Sequence, residues 1–300
     1  MSPIGAAAQA VALGPTAPIM TRPIPSSGER LPVVGLGTAY QWYSEDQRAA
    51  LGAVVRALVA GGSVIDTAGN GGGYGIAETM LGEVIAESGL RPRLFLASKI
   101  EEHFPQSPAS VQGAAHLLQT NKVDLIQVHS VDSADQSLAA LRDWKAQGLA
   151  RYIGITTAIT RYFDVVEAIM QREKPDFIQI DYWIEARRAE RRLLPLAASL
   201  GIAVMINMPF GGVEGQDQGL GRNLFSLVKG KPLPDWAREF DAASWGQFFL
   251  KYLLGNPAVT VVIPGTSKPE HMADNLGAAR GRLPDAVQRQ QMAQFIDALA

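Results

Sequence analysis

VIDTAGNGGGYGIAE, Val64 to Glu78, is a short apolar run closed by a carboxylate, then a glycine-rich turn, then a phenol ahead of a segment with a new period. From Ile76 to Ala86 the apolar residues recur at helical spacing. The stretch therefore reads strand, turn, helix, with Asp66 ending the strand and Tyr74 at the mouth of the helix. Two later runs repeat the device: LFLASK ends in Lys99 and DLIQVH ends in His129. If these strands are parallel neighbours, an acid, a phenol, an ammonium and an imidazole converge on one face.

Outward from this stretch the alternation covers most of the chain. Helical periodicity predicts helices over Glu45–Ala60, Ile76–Ser88, Pro108–Thr120, Ala134–Gln147, Arg161–Arg172, Arg187–Ser199, Ala243–Leu254 and Pro269–Arg280, with a last one over Asp285–Ala298. Between them lie short β-branched runs at Val64, Leu94, Asp124, Tyr152, Phe177, Ile202 and Val259, and LPVVGLGT, Leu31 to Thr38, supplies an earlier one. Short apolar strands of this kind suit a parallel sheet buried on both faces. Eight strand–helix units predict an α/β fold, a closed (β/α)8 TIM barrel with its site at the C-terminal strand ends. A doubly wound sheet is the alternative, but no G-x-G-x-x-G follows a strand.

TRPIPSSGER, Thr21 to Arg30, reads as an N-terminal β-hairpin turning at Ser-Ser-Gly. The connection Pro209–Asp241, after the seventh strand, is long enough to expect a lid over the strand ends. Residues 1–20 are Ala-, Pro- and Gly-rich with no early positive charge. They are expected to be a flexible leader or a trimmed export segment ahead of a single barrel over 21–300. The expected location is the cytoplasm, or the periplasm if that segment is an export signal.

A net charge of −2 gives no electrostatic reason to expect nucleic acid or an anionic membrane surface as partner. No uninterrupted apolar run approaches the roughly 18 residues of a spanning helix. Cysteine is absent, which removes disulfides, thiolate nucleophiles and cysteine metal sites. His103 and His116 show no metal-ligand spacing and are expected at the surface. Tyr40, Trp42, Tyr43 and Trp183 follow strands and are expected either in a cleft or in the core. Arg187, Arg188, Arg191 and Arg192, with Glu185 and Glu190, read as a solvated helix face with local ion pairs. Trp236 and Trp245 read as packing anchors.

The strand-end groups have a common chemistry. A free phenol, with a pKa of about 10, is a poor acid near neutrality. A nearby ammonium draws that value down, and a carboxylate such as Asp66 can supply the ammonium's counter-charge. With an imidazole holding a carbonyl oxygen, such a set can protonate that oxygen as hydride reaches carbon.

These residues, in this order, resemble the aldo-keto reductase family from Thr21 to the C-terminus. The carriers are Leu31–Thr38, Asp66-Thr-Ala with Tyr74-Gly-Ile-Ala-Glu78, Ala97-Ser-Lys99, Asp124–His129, Arg151-Tyr-Ile-Gly-Ile155 and Ile263–Lys268 with Asp274-Asn275. The resemblance implies a barrel that uses NADP(H) to reduce a small-molecule aldehyde or ketone. It implies Tyr74 as proton donor, Lys99 and Asp66 as its tuning pair, and His129 orienting the carbonyl. It places Thr156, Thr157 and Gln179 at the nicotinamide carboxamide, Asn207 at the nicotinamide face, and Pro209, Phe210 and Gly211 at the pyrophosphate. Gly265, Thr266, Ser267, Lys268, His271 and Asn275 fall at the adenosine end.

The sequence departs from the family's pattern in places. Tyr74 lies eight residues after Asp66 rather than the usual spacing of about five, with Gly71–Gly73 between. Asn207 stands where an aromatic often stacks, and Thr157 where Asn is usual. At the 2′-phosphate loop Gly265 and His271 occupy basic positions, leaving Lys268 as the obvious cation. The insertion keeps open a redox-neutral lyase or epimerase, or a nucleotide-sensing protein, on the same barrel.

Overall fold

A computed structural model describes residues 17–69, 72–100, 108–129, 131, 134–212 and 222–299. The N-terminal hairpin forms as expected: β1 (Thr21–Pro23) pairs antiparallel with β2 (Arg30–Pro32). Gly28 takes φ +76° at its turn. Eight parallel strands follow: β3 (Leu36–Gly37), β4 (Val64–Asp66), β5 (Phe95–Ile100), β6 (Val123–Val128), β7 (Ala150–Thr157), β8 (Phe177–Asp181), β9 (Ala203–Asn207) and β10 (Val261–Val262). Each pairs with its neighbours in chain order. Parallel bridges Val34–Val262 and Gly37–Gly265 join the last strand to the first segment and close the barrel.

The helices are α1 (Arg48–Leu58), α2 (Ala77–Ser88), α3 (Pro108–Leu117), α4 (Ala134–Ala146), α5 (Phe163–Glu173), α6 (Arg188–Arg191), α7 (Leu193–Leu200), α8 (Leu224–Leu227), α9 (Trp245–Leu254), α10 (Pro269–Gly277) and α11 (Ala286–Asp297). Two sequence expectations need correction. The run Leu31–Thr38 is not one strand, because its beginning belongs to the hairpin and only Leu36–Gly37 runs in the barrel sheet. Gly35 lets the backbone pass close to β4: a Cβ there would lie 2.7 Å from the Val64 carbonyl oxygen. The helix expected over Arg187–Ser199 is two helices with a break at Arg192. Pro195 cannot donate to the Arg191 carbonyl, and its ring crowds that oxygen.

One large core fills the space between strands and helices. A second lies inside the barrel, built from inward-facing side chains of β4 to β10, two residues apart where a strand gives more than one, as Phe95 and Ala97 or Ala203 and Met205 do. At its N-terminal end Phe95, Tyr152 and Phe177 pack with ring centroids 5.8–6.0 Å apart. Ile24 and Leu31 of the hairpin join this cluster, and the Tyr152 hydroxyl reaches Ser27 and Glu29 at 2.8 and 2.6 Å. The hairpin therefore plugs the bottom of the barrel. One and two pleats higher on the same inward faces stand Lys99, Gln127, Thr156 and Gln179. The sequence thus turns from apolar to polar toward the C-terminal strand ends.

Of the expected leader, residues 1–16 lie outside the described residues, whereas Met20 donates its N–H to the Ala279 carbonyl. Most of the glycine-rich part of the expected lid, 213–221, is also outside them, as is His103. Trp236 and Trp245 anchor packing as expected, each against Phe248 and Phe295. Among the described residues no helix is long and apolar enough to cross a membrane.

Candidate active site

Asp66 ends β4 and Lys99 lies near the end of β5, and the register pairs Asp66 with Ala97. Lys99 therefore stands one inward-facing step above the carboxylate's level, close enough for its Nζ to donate to both Asp66 oxygens at 2.8 and 2.7 Å and to the Thr67 carbonyl at 2.9 Å. Both side chains are almost fully buried. Burial, the largest single influence, would lower the Lys99 pKa, but the charges and hydrogen bonds of Asp66 and Tyr74 together outweigh it and the ammonium is held above its ordinary value. Gln179 donates to Asp66 at 3.1 Å, and Gln127 donates to Gln179 Oε1 at 2.8 Å and to Asp66 at 3.4 Å. A buried carboxylate is thus ringed by an ammonium and two amides, the satisfaction that such a charge requires.

Tyr74 stands on this network. Its ring centroid is 5.1 Å from Lys99 Nζ and 5.8 Å from the His129 ring, which meets it edge-on at 67°. The Gly71–Gly73 insertion leaves the phenol beside Lys99 and His129. One expectation reverses here. Burial pushes the Tyr74 pKa up, and the Lys99 charge, already engaged by Asp66, opposes this without overcoming it.

All four groups line one cavity of about 880 Å³ at the C-terminal strand ends. Thr156, Thr157, Gln179, Asn207, Pro209, Phe210, Gly211 and Gly265 line it too. The Gln179 amide, spent partly on Asp66 and Gln127, keeps one N–H and one lone pair for a ligand. Thr266, Ser267, Lys268, His271 and Asn275 lie beyond the cavity wall, in the β10–α10 turn and on α10. Lys268 and His271 are exposed, with Glu270 beside them in the first turn, whereas Thr266 and Asn275 are buried.

Of the aromatics weighed from sequence, Tyr40 lines the cavity while Trp42 and Trp183 are buried in the core. Tyr43 is exposed. The arginine face is solvated, but its partners are not local. Arg187 pairs with Asp297 and Arg192 with Asp164 and Glu167, while Glu190 is drawn inward by Tyr182, Tyr252 and Arg289. Two polar groups escaped sequence reasoning. Gln127 was legible as the inward-facing residue two before His129. Glu78 is fully buried on α2, accepts from Ser98 through Oε1, and has no partner at Oε2. Burial pushes its pKa up to about 7.

The family model described as "Aldo/keto reductase family" matches residues 33–294. The chain belongs to that family. It is 26% identical to YqkF of Bacillus subtilis, named an uncharacterized oxidoreductase, over 55% of this chain and 57% of that one. It is also 26% identical to YrpG of the same organism, likewise named an uncharacterized oxidoreductase, over 88% of this chain and 92% of the other. An aldo/keto reductase from Klebsiella pneumoniae, solved in complex with NADP and acetate, shares the fold with a TM-score of 0.69 at 24% identity, over 90% of this chain and 93% of that one. As an aldo/keto reductase the chain is an oxidoreductase.

Proposed function

We propose that this aldo/keto reductase is an NADP(H)-dependent carbonyl reductase in which Tyr74 delivers the proton. The observation that carries this reading is the convergence of the Asp66–Lys99 pair, the Tyr74 ring and His129 on a single cavity. The chain's residues suit a dinucleotide. Gly211 and Gly265 present bare backbone to the cavity, and Lys268 and His271 lie at the start of α10, where cations suit a phosphate. Gln179, Thr156 and Thr157 would hold the carboxamide end.

Bound NADPH supplies the hydride. Tyr74 and His129 hold the carbonyl oxygen, and the Tyr74 hydroxyl gives its proton to that oxygen as negative charge develops there. Lys99 stabilises the phenolate left behind, with Asp66 keeping the ammonium charged in its buried position.

Tryptophan fluorescence titration with NADPH and then NADH tests the cofactor assignment. Micromolar binding with NADPH preferred is the expected result, and the preference should be lost in Lys268→Ala. A carbonyl screen followed at 340 nm should then find turnover that Tyr74→Phe removes while NADPH affinity stays unchanged. Absence of binding by either nucleotide up to millimolar concentration would sink this reading.

A further inference from the structure

The glycine insertion and the segment after β3 are joined in a way the proposed chemistry does not use. Tyr40 has φ +62°, a left-handed conformation that bulky residues rarely keep without surrounding constraint. Its N–H donates to the Gly73 carbonyl at 2.5 Å, and the Tyr43 hydroxyl donates to the same oxygen at 3.3 Å. The Tyr40 ring lies on Gly73, where a Cβ would sit 2.8 Å from its Cε1. On the other side of Tyr74, Ile76 donates to the Trp42 carbonyl at 3.1 Å. Gly75, at φ +56°, passes so close that a Cβ would lie 2.2 Å from that same oxygen.

The clamping segment is itself fixed. Trp42 is fully buried, Gln47 Oε1 accepts the N–H groups of Tyr43 and Ser44 at 2.7 and 3.1 Å, and Gln47 Nε2 donates to the Gln41 carbonyl at 3.0 Å. The connection between β3 and α1 therefore grips the backbone on both sides of Tyr74. Gly73 and Gly75 are the seats that grip requires, because any side chain there would meet an aromatic ring or a carbonyl oxygen.

We infer that Tyr40 is a positioning residue: its ring and backbone, seated on Gly73, fix the Tyr74 phenol against Lys99 and His129. Gly73 is then a socket and not slack in the loop. This rests on the reading of Tyr74 as proton donor.

The test compares wild type with Y40F, Y40A, G73A and the Y40A/G73A double variant in steady-state kinetics, NADPH titration and amide exchange. Y40A and G73A are each expected to lower kcat at least tenfold and to shift its pH profile, with NADPH affinity within twofold of wild type. Y40F, which keeps the ring, should rescue both. The double variant should be no worse than the worse single one, since the new methyl then has no ring to strike. The inference is overturned if Y40A keeps its kcat and pH profile and only KM rises, if kcat falls only together with NADPH affinity, or if the two substitutions add. Should wild type bind NADPH but reduce no carbonyl, the functional reading fails and exchange at the Ile76 amide decides the clamp alone. Exchange at least tenfold faster in Y40A than in wild type or Y40F supports it, and equal rates overturn it.

Discussion

Lys99 and Asp66 form a pair that neither could leave without cost, since each is buried and the other is its counter-charge. Lys99→Met strands a buried carboxylate that only Gln127 and Gln179 still address, so a stability loss of about 3 kcal/mol is expected in urea denaturation. Turnover should fall by roughly 10²–10⁴-fold, the scale of losing support for an acid in the transition state. Adding Asp66→Asn should recover much of the stability and none of the turnover, and recovery of both would mean that Lys99 acts only as a structural counter-ion. Glu78 behaves oppositely, because its burial outweighs the Ser98 hydrogen bond and the Lys99 charge that favour its ionised form. The unfolded chain releases this proton near the ordinary value of 4.5, whereas the folded chain holds it to about 7. The unfolded state thus binds fewer protons across that window, so stability falls as pH rises from about 4.5 to about 7 and is then flat. At about 1.4 kcal/mol per pH unit the fall is roughly 3 kcal/mol. Glu78→Gln removes it, so urea midpoints at pH 5 and pH 8 should move in the variant's favour at the higher pH. Parallel pH dependences would show that the group is not held protonated.

Contact between elements is where glycine placement is most informative. A Cβ on Gly82 of α2 would lie 2.0 Å from the Leu117 carbonyl oxygen at the end of α3, while Gly113 of α3 has nothing within 4 Å of its missing Cβ. Gly82→Ala should therefore cost about 2 kcal/mol or more through forced separation of the helices. Gly113→Ala should stabilise by about 0.5–1 kcal/mol through a less flexible unfolded chain. Opposite signs in thermal unfolding confirm the assignment, and losses in both variants would overturn it. Sequence pattern anticipated the helices themselves, because their apolar period and the β-branched runs between them are local signals. Asp66, Lys99 and His129 were legible for the same reason, each ending or following a strand. The break at Arg192 was written in Pro195, but a favourable helical period around it concealed the interruption. The seat of Tyr40 on Gly73 had no local signal at all, since it joins residues of two loops and follows no period. The ion-pair partners of the arginine run were similarly hidden, because Asp164 and Asp297 reach it only through the fold.

Across the whole molecule the barrel interior is graded, with aromatic packing at the hairpin end and a hydrogen-bonded polar layer at the opposite end. Strands β4 to β8 carry residues of both layers on one set of inward faces, so the two ends are built on shared elements. Closure by the Gly37–Gly265 bridge brings the first and last strand ends to the same rim, and this is why a cavity can draw lining residues from both ends of the sequence. The architecture implies that stability and turnover can be separated along the barrel axis. Ile24 of the hairpin plug is fully buried in the lower layer, and the polar layer lies beyond the aromatic trio from it. Ile24→Ala should cost about 2–4 kcal/mol, the transfer and cavity penalty of an isoleucine truncated in a close-packed interior. At 25 °C, with the folded state still populated, NADPH affinity and kcat should remain within twofold of wild type. The corresponding check is urea denaturation alongside fluorescence titration and turnover on one preparation. If kcat falls in proportion to the lost stability while the protein remains folded, the lower layer governs the geometry of Tyr74, and the barrel's two ends are mechanically coupled. If only the unfolding midpoint moves, the plug serves folding and the rim serves chemistry, and substitutions at the bottom of this barrel can alter its stability without disturbing the site.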